Sequence, residues 1–513
     1  MKILLIYPKL PDTLYAFKNL LNASGYKAPY PPLGLLTVSA MLPKHYERKL
    51  IDLNVKIPTA KDFEWCDYIF LSAMSTQEIS VRWVLEQAKK HNKKIVAGGP
   101  LFTHDHQRFE EIDHFILNEA EITLPRFIED LEDPGKTPLR KYATPEFADI
   151  TKSPIPDFDL VDLSDYGYPI VQYSRGCPYM CDFCDVTALF GRRPRTKTSD
   201  RVIEELEHIR KHRFVQTVLF ADDNLIGNKK TLKKDLLPRL IEWRKEKDPG
   251  FFFMTQLTIT LADDEELMDL MIDAGFRYIF IGIESPDEET LLHTQKTQNT
   301  RRDQIESLEI LRRKGFIPFA GFIVGFDTDT DTVFERQLKF INDAAITMPI
   351  VNILKAPPGT DLFLKMKNEG RINKDFAFLE SETNLETVMP IEQLNAGFEW
   401  LIEHLYLPEY TVERIKNFIS DYGPVKTSVK IRQRASPTLI LRLLRIFYKL
   451  GIQWEHRKYF WGLLNWARKN KPNRIDLAFA LSLTMYQWAH SYYTIKNQLS
   501  HADVERVLMK KSA

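Results

Sequence analysis

Cysteine is scarce in this chain, with four in 513 residues, and so few exclude a disulfide-stapled secreted scaffold and suit a reducing cytoplasm. Long apolar runs are also missing. No stretch approaches the roughly 20 uninterrupted apolar residues of a membrane-spanning helix. The opening Met1-Lys2-Ile3-Leu4-Leu5-Ile6-Tyr7-Pro8 is too short for a signal h-region and reads as a first strand. Nor is there an excess of either charge, since Lys plus Arg and Asp plus Glu both number 70. Global charge therefore says nothing about partners, and nucleic acid is the weaker option because the aromatics of the basic tail fall at helical core spacing. What remains is an ordinary folded composition, 44% hydrophobic and 27% charged, in a chain long enough for two to four domains.

Three of the four cysteines lie within eight residues, Cys177-x3-Cys181-x2-Cys184, in Tyr173-Ser174-Arg175-Gly176-Cys177-Pro178-Tyr179-Met180-Cys181-Asp182-Phe183-Cys184. Three thiolates this close can share one metal centre, but a structural zinc site takes four protein ligands and a cubane iron–sulfur cluster normally takes four cysteines. Three ligands leave a coordination position open, as in a catalytic centre. A zinc knuckle borrowing a distant histidine and three buried structural cysteines are the other readings. Cys66, beside Trp65 at a strand edge, reads as core.

With Phe183 before its last cysteine, the motif C-x3-C-x-aromatic-C resembles that of radical S-adenosylmethionine (radical SAM) enzymes. The resemblance implies a 4Fe-4S cluster on Cys177, Cys181 and Cys184, with S-adenosylmethionine chelated at the open iron. It also implies one-electron cleavage to a 5′-deoxyadenosyl radical, and places Phe183 against the adenine.

Residues 1–131 alternate strand-like runs with helical segments, the pattern of a Rossmann-like parallel sheet whose ligand lies beyond the carboxyl ends of its strands. Strands are expected at 2–7, 48–53, 68–73, 94–98 and 114–118. Ser75 and Thr76, Gly98-Gly99-Pro100 and Asn118-Glu119-Ala120-Glu121 fall at such ends. Together with Pro31-Pro32-Leu33-Gly34-Leu35 and the cluster motif that follows, this order resembles the cobalamin-binding radical SAM enzymes. The resemblance assigns Ser75, Thr76, Gly98 and Gly99 to cobalamin. Pro8-Lys9-Leu10-Pro11 lacks the D-x-H-x-x-G histidine that binds cobalt in other cobalamin proteins, so the cofactor would be bound without it.

Residues 132–168, with Pro154-Ile155-Pro156-Asp157, read as a linker. Alternation resumes over 169–365, with strands expected at 170–174, 217–221, 251–256, 278–283, 319–324 and 351–355. Six such repeats suggest a partial (β/α)6 barrel with its site at the strand ends. Each polar residue there serves equally as a helix cap. The resemblance places Asp222 and Asp223 by the methionine amino group, Gln256 and Glu284 on the ribose or sulfonium side, and Gly325 under the adenine. The basic loop Phe190–Arg195 is expected to be solvated.

Residues 366–513 look mainly helical. Between 426 and 474 thirteen basic residues, Lys430, Arg432, Arg434, Arg442 and Arg445 among them, are opposed only by Glu455. Runs such as Leu443-Leu444 and Ile446-Phe447-Tyr448 interrupt them. The pattern fits a helix at a membrane interface and equally one packing its apolar face on the barrel. A similar helical extension follows the barrel in the hopanoid and bacteriochlorophyll methylases.

The fold class expected is therefore α/β: a cobalamin domain, a radical SAM barrel and a helical domain. The function expected is cobalamin-dependent methylation of an unactivated carbon in a lipid- or pigment-like small molecule. A flavodoxin or ferredoxin would supply electrons. The protein would be cytoplasmic, with peripheral contact at the inner membrane face through 426–474. A radical SAM oxidase or cyclase and a non-catalytic cluster-binding protein are the alternatives. Resemblance to methylthio-transferring members would require a second three-cysteine cluster, and only Cys66 is left for it.

Overall fold

The computed structural model describes residues 1–11, 17–211, 217–247, 250–373, 382–428 and 437–511, with side chains of the last helix to residue 497. Lys430, Arg432 and Arg434 lie outside the described residues. The chain packs as two compact units. One holds Met1–Asp12, Tyr26–Pro178 and Asp185–Gly227; the other holds Thr13–Gly25, Tyr179–Cys184 and Asn228–Ala513.

In the first unit, short apolar runs form a parallel sheet: β1 (Lys2–Tyr7), β2 (Glu47–Asp52), β3 (Tyr68–Ser72), β4 (Lys94–Gly98), β5 (His114–Ile116) and β6 (Lys141–Tyr142), in the order β2-β1-β3-β4-β5-β6. Ile3 to Ile6 are all completely buried, as expected of strands covered by helices on both faces. The Glu78–Lys90 helix puts Val81, Val84, Leu85 and Ala88 inward, each three or four positions from another of the set. These join Leu4, Ile69, Ile95 and Phe102 in one core, and Cys66 is part of it.

The stretch 132–168 is packed into this unit rather than draped over it. It supplies β6, which pairs with β5 through Phe115↔Lys141 and Ile116↔Tyr142. The Tyr166 hydroxyl donates to the buried Asp52 carboxylate at 3.1 Å. Burial pushes Asp52 up to about 6 against the hydrogen bonds of Asn54 and Tyr166. The same unit contains the parallel pair β7 (Ile170–Val171) and β10 (Thr217–Phe220), and the antiparallel pair β8 (Ser174–Arg175) and β9 (Arg195–Thr196).

The second unit carries four parallel strands, β11 (Phe252–Leu257), β12 (Phe276–Glu284), β13 (Ile317–Val324) and β14 (Met348–Ile353), each beside its sequence neighbour. The helices Glu265–Ala274 and Gln304–Lys314 end on Gly275 and Gly315, both in left-handed conformation, where a side chain would be strained. Beyond the strands come the helices Ile391–Tyr406, Pro408–Asp421, Pro437–Tyr448, Arg457–Asn470 and Ile475–Lys511. Trp488 of the last is fully buried, donates to the Thr347 carbonyl at 3.1 Å and stacks on Tyr406 at 4.9 Å. The parallel sheets with their helices, the barrel-like strands and the helical C-terminal region give the mixed α/β class expected.

Candidate active site

The strand leading into the first cysteine is held by Asp222-Asp223-Asn224, which follow β10. The Asp222 carboxylate accepts from the Ser174 backbone N–H, from the Ser174 hydroxyl at 2.5 Å and from the Tyr173 N–H at 3.2 Å. Burial pushes its pKa up to about 7 against those donors. Asp223 accepts from the Gly176 N–H at 3.0 Å and is pushed up to about 6, again by burial first. Asn224 donates through Nδ2 to Cys177 Sγ at 3.8 Å. Gly176 adopts a φ of +94°, and a Cβ there would come within 2.8 Å of the Gly191 carbonyl oxygen. Glycine is the residue that permits this turn.

Arg175, between Ser174 and Gly176, is clamped. Its Nη1 donates to Glu119 at 2.8 Å and to Glu121 at 3.1 Å, its Nη2 to Glu121 at 2.7 Å, and its Nε to Gln172 at 2.9 Å. Burial alone would raise Glu121, but the Arg175 guanidinium outweighs it and holds the carboxyl down at about 2. Arg195 donates to Glu119 at 2.8 Å and to the Ala148 carbonyl at 2.7 Å. The expectation of a solvated 190–195 loop holds for Arg192 and Arg193, which are exposed, but not for Arg195, which is mostly buried against a carboxylate 76 positions earlier. Spacing within the loop carries no signal of that pairing.

A cavity of about 330 Å³ opens in the first unit. Ser72, Gly98 and Asn118 line it from the ends of β3, β4 and β5; Ile170, Gln172 and Arg175 line it from β7 and the strand leading to Cys177. Leu33 and Gly34 close another side. Ser75 and Thr76 sit in a single 3-10 turn after β3, outside this lining. Gly98 and Gly99 do line it, but their lack of Cβ serves the fold. A Cβ on Gly98 would meet Ile116 O at 2.7 Å and one on Gly99 would meet Ser72 Oγ at 2.8 Å. Gly34 is different: a Cβ there meets nothing within 4 Å. Aliphatic walls with polar groups such as Ser72, Asn118 and Gln172 among them suit the flat ring and the amide side chains of a cofactor such as cobalamin.

In the second unit, Cys181 and Cys184 share a tight turn, with the Cys184 N–H donating to the Cys181 carbonyl at 3.2 Å. The Asp182 N–H donates to the Thr294 carbonyl, and the Leu362 N–H donates to the Asp182 carbonyl, which fixes the loop. Gln298 donates through Nε2 to Cys181 Sγ at 3.5 Å. Phe183 packs against Phe326 with ring centroids 6.2 Å apart, beside Leu354 and Leu362.

Glu284 ends β12 with a φ of +65° and is paired with Lys296 at 2.8 Å. Burial would lower Lys296, but Glu284 and the Cys181 and Cys184 sulfurs keep it raised and charged. Gln256 is exposed on β11. Gly325, at φ +97°, donates its N–H to Asp329 at 2.7 Å. Amide donors on two cysteine sulfurs and a charged lysine beside two of them are the surroundings of anionic, metal-ligating thiolates. The donor set therefore fits an iron–sulfur cluster. Gln298 and Lys296 belong to no motif legible in the sequence.

Comparison with known proteins agrees with this geometry. Residues 171–341 match the Radical SAM superfamily, residues 21–128 the B12 binding domain, and residues 360–501 a domain of unknown function, DUF4070. Over 472 residues the chain is 37% identical to an uncharacterized methyltransferase of Synechocystis sp., covering 90% of this chain and 86% of that one. It is 31% identical over 467 residues to the hopanoid C-2 methylase of Rhodopseudomonas palustris, covering 90% and 88%. OxsB, a cobalamin-dependent S-adenosylmethionine radical enzyme solved with aqua-cobalamin and S-adenosylmethionine bound, shares the fold. Its TM-score is 0.61 at 17% identity, over 100% of this chain and 81% of that one.

Proposed function

Because this chain belongs to the cobalamin-binding radical SAM methyltransferases, we propose that it adds a methyl group to an unactivated carbon of a hydrophobic, lipid-like small molecule. The observation that carries this reading is the cavity of the first unit, whose walls come both from the carboxyl ends of β3 to β5 and from the strand that leads into Cys177. One cavity thereby borders the cobalamin sheet and the strand before Cys177, as expected where a methyl group is to reach a nearby substrate carbon. Its largely aliphatic lining supports a hydrophobic substrate.

In this reading Cys177, Cys181 and Cys184 ligate the 4Fe-4S cluster. Phe183 lies against the adenine of S-adenosylmethionine, Gln256 and Glu284 face its ribose or sulfonium side, and Gly325 lets the adenine approach. Asp222 and Asp223 serve the methionine amino side, Asp222 acting through the Tyr173–Ser174 strand that it holds. Gly98 and Gly99, with Ser75 and Thr76 at the neighbouring strand end, border the cobalamin. When bound, the cluster and cobalamin supply one-electron cleavage of S-adenosylmethionine and a transferable methyl group. Lys296 neutralises Glu284 beside the thiolates, and the apolar cavity walls favour burial of a hydrophobic substrate. A flavodoxin or ferredoxin delivers the electron, and 426–474 attaches the protein to the membrane holding such a substrate.

The test is an anaerobic incubation of the reconstituted protein with S-adenosylmethionine, reductant, cobalamin and a lipid or pigment extract. Formation of 5′-deoxyadenosine and S-adenosylhomocysteine together, with a gain of one methylene on an extract component, is expected. Cys181→Ala should form no 5′-deoxyadenosine. Deoxyadenosine from a protein that binds no cobalamin would replace this reading with an oxidase or cyclase.

A further inference from the structure

We infer that the exposed face of the Pro437–Tyr448 helix is a docking surface for an anionic bilayer. The inference rests on the proposed peripheral attachment of 426–474 and not on methyl transfer. Of this helix only Ile446 is buried. Leu441 is 66% exposed, Leu444 60% and Tyr448 54%, and Ile440, Leu443 and Phe447 are exposed beside them. At about 100° per residue these six side chains occupy one continuous arc of roughly 160°. Arg445, Lys449 and Arg442 follow along one edge of that arc, and Ile446 faces the protein behind them.

The apolar face therefore does not pack on the barrel, the other arrangement the sequence allowed. It continues past the helix end, where Ile452 is exposed and Trp461 of the next helix, itself 43% exposed, meets Phe447 at 5.2 Å. Among the described residues no helix is long and apolar enough to cross a membrane. A helix of 12 residues is only about 18 Å long, too short to span the hydrocarbon core. Lying in the interface suits it, with leucines and aromatics in the acyl boundary and arginines among the headgroups.

Charge selects the occupant. From 437 to 474 the chain carries nine basic residues and one acidic residue, Glu455. A protein partner's apolar patch is usually rimmed by polar residues without such a bias in sign, whereas an anionic leaflet draws Lys and Arg of one sign.

The experiment is co-sedimentation of the full chain with sucrose-loaded vesicles of phosphatidylcholine alone, or of phosphatidylcholine and phosphatidylglycerol at three to one. Binding to the anionic vesicles should be at least ten-fold tighter and should weaken at high salt. The double variant Leu441→Ser/Leu444→Ser should lose at least ten-fold of that binding. Arg442→Gln/Lys449→Gln should lose the preference for phosphatidylglycerol. Ile79→Ser, which alters a residue 89% exposed in the first unit, should bind unchanged. If the full chain stays in the supernatant, peripheral attachment itself is overturned. If the leucine variant sediments like the parent, attachment stands but this face is not its site. If the parent is a dimer that the leucine variant dissociates, the face joins two copies and the inference fails.

Discussion

Two side-chain amides donate to cysteine sulfur, Asn224 to Cys177 and Gln298 to Cys181. Their carbonyl oxygens, Asn224 Oδ1 and Gln298 Oε1, are buried and accept no hydrogen bond among the described residues. Folding thus leaves each oxygen unmatched while its N–H reaches sulfur, and a hydrogen bond donated to an anionic thiolate, stronger than one to a neutral thiol, offsets part of that cost. Hydrogen bonds to the sulfurs favour the more electron-rich cluster and raise its potential. Asn224→Leu or Gln298→Leu should therefore lower the midpoint potential by about 20–40 mV, the equivalent of about 0.5–1 kcal/mol for one electron. A redox titration followed by electron paramagnetic resonance reads this without turnover. An unchanged potential at unchanged iron content would remove the tuning role. The cysteines themselves were legible, because three thiols in eight residues are a chemical statement in any fold. Gln298 was not, since it reaches Cys181 across 117 positions and local spacing carries no trace of such a contact.

At the scale of elements, the strand β8 is anchored by charge as much as by its ladder. Arg175 joins the Asn118–Glu121 turn, at the start of the Ala120–Glu132 helix, to the residue pair before Cys177. Removing the guanidinium leaves Glu119 and Glu121 buried with less compensation, which typically costs about 3–5 kcal/mol. Arg175→Met should lower the thermal midpoint accordingly, while Arg175→Lys, keeping the charge but not the two-pronged geometry, recovers part of it. The sign with pH follows from Glu121. Its carboxyl is held at about 2, below the ordinary 4.5, so its pairing stabilises the fold fully above about 4.5 and the contribution is lost as pH falls toward 2. Differential scanning calorimetry between neutral pH and pH 3 should show the gap between parent and Arg175→Met narrowing on acidification. A constant gap would mean that Arg175 acts by packing alone. Most strands around this clamp were readable within one or two residues, since each is a short apolar run cut by Gly, Pro or Asp, but the expected strand 170–174 is two pieces, β7 and β8. Two short strands, β6 and β9, were missed. Each is two residues long and exists only because a distant partner pairs with it.

For the whole molecule, the order of a B12-binding segment, a radical SAM segment and a helical extension was legible because alternating strands and helices, and then their cessation, are long-range patterns. The cavity was not legible, because its walls gather from segments between Leu33 and Ala221. Glycine separates what the fold requires from what the ligand requires. Gly98→Ala would drive a Cβ to 2.7 Å from Ile116 O and should destabilise the sheet whether or not cobalamin is present. Gly34 occupies the second position of the Leu33–Met41 helix, lines the cavity and has open space where a Cβ would stand. Gly34→Leu should therefore fold without strain and stabilise the apo protein by up to about 1 kcal/mol, since leucine is the better helix former. The same side chain would project into the cavity and compete with a corrin. The expected outcome is cobalamin content, read from its visible absorbance per chain, reduced at least ten-fold, with cluster iron unchanged and the thermal midpoint of the apo protein no lower than the parent's. Full cobalamin loading in that variant would move the corrin out of this cavity, and with it the observation on which methyl transfer in this chain is argued.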